Sequence, residues 1–145
     1  MKRKIFIIGG ALAGLGLIAG LFVYFFVFNK SHTDYSEATP DFDLKAASLF
    51  EEFRTNPELS GAKYNGKVLS VTGELNAVEQ TDSLTIAVFG FEEGIFGSEG
   101  IRCTMIPEHA SEIVNVAPGT TITLKGYCTG YNDTDVIIEH CSLEE

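Results

Sequence analysis

The chain has 145 residues, 45% of them hydrophobic, and a formal net charge of −10 at pH 7. With about 30 residues in an apolar N-terminal segment, roughly 100 to 115 remain, which makes one domain able to bury a core without metals or many disulfides. All 20 acidic residues lie from Asp34 onward against six basic ones, so that part carries −14, a field that repels phosphate backbones and anionic lipid heads and suits cations or basic partners.

Ile5 to Phe28 is free of charge. As a helix it would run about 36 Å at 1.5 Å per residue, enough to cross a hydrocarbon core of about 30 Å. Tyr24 and phenylalanines at 22, 25, 26 and 28 crowd the far end, where an interfacial aromatic belt is expected. A signal peptide would have a shorter apolar stretch and small residues at a cleavage site. No cysteine stands near the segment, which argues against a lipid-bearing anchor. Lys2, Arg3 and Lys4 precede the segment, while Lys30 is soon followed by Asp34 and Glu37. The N-terminus is therefore expected in the cytoplasm and the C-terminal domain outside, periplasmic in a Gram-negative source. Gly10 with Gly14 and Gly16 with Gly20 give the small-residue spacing that lets two membrane helices pair as a homodimer. The expected organisation is a transmembrane anchor over 1–30, a flexible tether over 31–42 and a folded domain over 43–145.

Asp43 can cap a helix in which Leu44, Ala47, Phe50 and Phe53 recur at a spacing of three, one face of an amphipathic helix. Pro57 ends it by Asn56; Pro57 to Lys63 adds a turn, and Asn65-Gly66 is a turn signal. Lys67 to Val78 alternates apolar and polar residues as a strand does, with Gly73 marking a bulge or bend in its middle. Ser83 to Phe89 reads as a second strand, Gly90 to Gly100 as a glycine-rich loop, and Ile101 to Ile106 as a third strand. Pro107 to Asn115 reads as a short helix, Thr120 to Tyr127 as a fourth strand, Thr129 to Asp135 as a polar hairpin loop and Val136 to Leu143 as a fifth strand. Five strands with a short helix between the third and fourth is the order of an OB-fold. The expected fold is thus mainly β, a five-stranded Greek-key barrel behind a leading amphipathic helix. A mixed α+β sandwich is the competing architecture.

The stretch Lys63-Tyr64-Asn65-Gly66-Lys67-Val68-Leu69-Ser70-Val71-Thr72-Gly73 resembles the opening of the tRNA-anticodon-like OB-fold family, small and mostly uncharacterised bacterial proteins that are often exported or lipid-anchored. The resemblance continues through Ile101-Arg102-Cys103, through Gly119-Thr120-Thr121-Ile122-Thr123-Leu124-Lys125-Gly126 and through Val136-Ile137-Ile138-Glu139-His140-Cys141-Ser142-Leu143. It covers about residues 43 to 143 and implies the fold rather than an activity. The family is named for its likeness to nucleic-acid-binding domains.

In an oxidising compartment Cys141 could pair with either Cys103 or Cys128, since the fifth strand of such a barrel neighbours both the third and the fourth. The resemblance favours Cys103 with Cys141, both of which fall in matched motifs. Buried apolar thiols are the alternative. Zinc is not expected from Cys103, Cys128, His140 and Cys141, because neighbouring residues point to opposite faces of a strand. Asn132, Asp133 and Asp135 could hold calcium, but ordinary turn chemistry explains them as well. Nucleic-acid readout would need basic residues among aromatics on the second and third strands; Thr85, Ala87, Phe89, Arg102 and Thr104 provide one cation. No catalytic motif, cofactor site or metal site stands out. The most unusual stretch runs from Phe89 to Gly97, where Phe89, Phe91, Ile95 and Phe96 alternate with glycines and acids. It is expected either to bind a protein, peptide or small ligand or to fold back as a cap on the barrel. The function this supports is a non-catalytic, membrane-anchored, extracytoplasmic binding or adaptor module. An envelope accessory protein assembled through its helix and a metal- or redox-linked protein are the alternatives.

Overall fold

A computed structural model describes residues 14–28 and 33–144. The chain divides into two units, meeting between His32 and Thr33. In the first, residues 14–23 are α-helical and Tyr24–Phe28 continue as a π-helix. Residues 5–13 of the predicted membrane span, Gly10 of the predicted pairing face and the basic flanks at 2–4 and 30 lie outside the described residues. Among the described residues no helix is long and apolar enough to cross a membrane. Gly14, Gly16 and Gly20 have open space where a Cβ would stand.

The second unit is one seven-stranded sheet with three helices. In chain order the elements are β1 (Phe42–Lys45), α1 (Ala46–Thr55), α2 (Pro57–Tyr64), β2 (Val68–Glu74), β3 (Ala77–Gln80), β4 (Thr85–Gly94), β5 (Gly97–Met105), α3 (Ala110–Val114), β6 (Thr121–Tyr131) and β7 (Val136–Glu144). The strands lie in the order β1-β2-β6-β7-β5-β4-β3. The β1–β2 and β5–β7 pairs are parallel and the others antiparallel.

The count of seven replaces the expected five for two physical reasons. The predicted first strand breaks at Leu75-Asn76 into β2 and β3. Leu75 donates its N–H to Thr120 O at 2.9 Å, while Asn76 donates to Val88 O at 2.8 Å. Consecutive residues thus bond to opposite ends of the strand order, and the sheet curls back across the break. The bend comes two residues after Gly73, which serves a different need. A Cβ there would stand 2.7 Å from Ala46 Cβ and 3.1 Å from Phe89 Cδ1, so glycine lets α1 and β4 approach β2. The added strand is β1. Asp41 draws it in, accepting from Val68 N–H at 2.9 Å through its carboxylate while its own N–H donates to Val68 O at 2.8 Å. Phe42 packs edge-on against Tyr64 with ring centroids 5.2 Å apart. Asp43 and Leu44, read as the helix start, are therefore extended, and α1 begins only at Ala46.

From there the apolar spacing is Ala46, Leu49, Phe50 and Phe53, all buried. Asn56 caps α2 by accepting from Leu59 N–H at 3.2 Å, and Pro57 sits at its first position, where a missing N–H costs nothing. The core lies between α1 and the inner faces of the strands, with Tyr64, Leu69, Val71, Phe89, Ile101 and Ile138 fully buried. Each such aliphatic or aromatic side chain contributes about 1.5–3 kcal/mol relative to exposure.

The expected Cys103–Cys141 disulfide is not formed: Cys103, Cys128 and Cys141 are free and buried. A register shift on the β5–β7 ladder sets Cys103 opposite Ile138 and Cys141 opposite Met105. Burial pushes the Cys141 thiol well above its ordinary value. Cys141 also donates to Ile138 O at 3.6 Å. Burial raises Cys128 to about 11. Neutral thiols in apolar surroundings are poor nucleophiles for disulfide formation.

The segment read as a flexible tether is held against the domain over part of its length. Asp34 faces His109 at 3.5 Å, and Tyr35 stacks on Tyr127 at 5.5 Å between ring centroids.

Candidate binding surface

The stretch read as a glycine-rich loop is a hairpin. β4 continues to Gly94 and β5 begins at Gly97, so Ile95 and Phe96 form the whole turn. Glycine is required on its stem because the strands crowd one another: a Cβ on Gly100 would overlap Phe89 O, and one on Gly90 would overlap Ser98 Oγ. The ladder shifts register between Gly90 and Glu92, a bulge that turns Phe91 toward α1.

The four apolar residues of this stretch separate into three environments. Phe89 is fully buried in the core. Phe91 stacks on Phe50 of α1 with centroids 5.4 Å apart. Ile95 and Phe96 are 95% and 97% exposed. Phe89 and Phe91 thus pack against the domain, while Ile95 and Phe96 project from it. An ion pair from Arg54 of α1 to Glu92 holds the stem.

The turn breaks the usual residue rule. Two-residue hairpin turns favour Asn-Gly or Gly-containing pairs, whose positive φ matches strand twist. Neither Ile95 nor Phe96 has positive φ; Gly97, at φ +119°, absorbs the reversal instead. Places where local rules fail are where function is expected.

Beneath the tip a cavity of about 80 Å³ is lined by Phe96, Ser98, Glu99, Arg102, Thr134 and Asp135, far smaller than a drug-sized ligand site. Its cation is fully engaged. Arg102 donates Nε–H to Asp135 Oδ2 at 3.1 Å and Nη1–H to Glu79 Oε2 at 2.7 Å. Asp135 Oδ1 also accepts from Gly100 N–H at 3.0 Å. Asn132 Oδ1 accepts from Thr134 Oγ1 at 2.8 Å and from Asp135 N–H at 2.7 Å. Asn132 and Asp135, two of the three residues considered for calcium, are therefore committed to turn chemistry and to Arg102. Among the described residues no group of three or more His, Cys, Asp or Glu could hold a metal ion. A wider groove of about 520 Å³ runs between α1 and α2, where Glu51, Leu59 and Lys63 contribute to its walls; Lys63 there is paired with Glu52 at 3.0 Å.

Sequence reasoning singled out Phe91, Ile95 and Phe96 but missed Arg54 and Glu79, and it offered Asp135 only as a calcium ligand rather than as the partner of Arg102 and Gly100. Nothing in their local spacing signals those partners, because each comes from a distant segment.

The chain matches the tRNA_anti-like family over residues 1–143. No curated protein matches it. Among solved structures, the crystal structure of a lipoprotein from Klebsiella pneumoniae subsp. pneumoniae, named for a proposed nucleic acid-binding role, is similar at 14% identity and a TM-score of 0.58. That likeness covers 79% of this chain and 100% of the lipoprotein. The Stn1–Ten1 complex of S. pombe is more distant, at 10% identity and a TM-score of 0.38, over 54% of this chain and 58% of its own.

Proposed function

As the chain belongs to the tRNA_anti-like family, we propose that its OB-fold-like domain is a non-catalytic binding or adaptor module of the cell envelope. In this reading residues 5–28 anchor it, the N-terminus faces the cytoplasm, the domain lies outside, and the β4–β5 tip is its contact surface. The likeness to a lipoprotein supports an envelope setting, and the uncharged apolar run from Ile5 to Phe28 supports the anchor. The observation that carries the contact surface is the near-complete exposure of Ile95 and Phe96 at a turn. Two bulky apolar side chains kept in water contribute nothing to the fold and gain only when a partner covers them.

Nucleic acid is not the proposed ligand. The domain's charge of −14 opposes phosphate, and Arg102 already holds two carboxylates.

The double substitution Ile95→Ser/Phe96→Ser in the full chain tests the contact surface. The expected result is an unchanged melting temperature with loss of specific neighbours in proximity labelling. An unchanged set of neighbours would refute the reading.

A further inference from the structure

We infer that the β4–β5 tip docks into an apolar socket rimmed by lysine or arginine on a different protein, an inference that rests on the tip being the contact surface. The apolar pair does not stand alone. Glu92 lies directly opposite Glu99 across the hairpin, and Glu93 opposite Ser98. Like charges placed opposite one another destabilise an antiparallel pair. Arg54 answers Glu92. Among the described residues Glu93 and Glu99 have no ion pair. The Glu99 carboxylate lies against Gly94, beside the turn, and Asp133 is exposed on the neighbouring β6–β7 turn. An apolar pair collared by unanswered carboxylates is complementary to an apolar socket with a basic rim.

Two other occupants fit less well. A second copy would present the same acidic collar and repel it. A bilayer would require carboxylates to follow Ile95 and Phe96 into the headgroup layer, against any anionic lipid.

The test places a benzophenone amino acid at position 96 of the full chain in its own membrane and cross-links it by light. The expected product is a discrete adduct with another protein whose yield falls at least fivefold when Glu93→Lys and Glu99→Lys are added. A protein adduct that persists after charge reversal overturns the basic-rimmed socket while leaving the contact surface standing. So does an adduct with lipid or with a second copy of the chain. No adduct of any kind refutes the contact surface itself, and the socket with it.

Discussion

Each of the three buried cysteines is held by its surroundings as a packing group. Cys103 and Cys128 flank Ile138 from either side of β7, and Cys141 lies against Gly126, where a Cβ would come 2.6 Å from its sulfur. With Cys128 raised to about 11 by burial, almost none of it is thiolate at neutral pH. Alkylating reagent at pH 7 should therefore leave the folded domain unlabelled. After unfolding without reductant, three labels should appear in the mass spectrum; a single label would instead show that a bridge had formed. The sequence identified these residues as buried or paired but could not choose between the two. The outcome depends on where the β5–β7 ladder sets the two residues, Cys103 opposite Ile138 and Cys141 opposite Met105, which no local pattern encodes. Arg102 was legible only as a lone cation. Its neutralisation by Glu79 and Asp135, from segments far away in the chain, was not.

Strands and helices were legible where side chains alternate against one core. Leu69 and Val71 on β2 and Ile122 and Leu124 on β6 face inward at period two, and Phe50 and Phe53 do so as the helical spacing predicts. β1 was missed because Asp43 resembles a cap, while the bonds that make the segment extended come from Val68. The hairpin was not legible because a run of glycines reads as a loop, whereas here glycine serves close packing of two strands. Gly73→Ala should accordingly destabilise the domain by about 1–3 kcal/mol, the cost of overpacking. Adding Ala46→Gly should restore part of that loss in denaturant titrations, since residues in contact are not additive; strictly additive losses would remove the close approach as the cause. The contact between Asp34 and α3 should depend on pH. The hydrogen bond to Glu112 raises the His109 value, burial opposes this, and Asp34 adds to the rise. Protonated His109 is the form that both carboxylates hold. Its contribution is then fully present below the unfolded value of about 6.5 and is lost as pH climbs through the raised folded value. The melting-temperature difference between the natural chain and His109→Gln should be largest near pH 5.5 and vanish above about pH 8.5. A difference that does not change with pH would show that the imidazolium contact is not what holds the segment.

At the scale of the whole molecule, charge says more about a ligand than fold does, because fold alone does not transmit function. A domain of charge −14 with its strand-face arginine already paired should not retain single-stranded RNA even at about 50 mM salt, where electrostatic binding is strong. Retention that weakens steeply with added salt would count against the adaptor reading.

Ile95 and Phe96 touch so little of their own domain that they can be exchanged without weakening it. Selection on folding holds Phe89, Gly90 and Gly100 in place but does not reach the two residues beyond them. On the proposed contact surface, the hairpin is in this sense a fixed handle with an interchangeable key, and proteins built on the same frame would be free to diverge in what they recognise while keeping the same core.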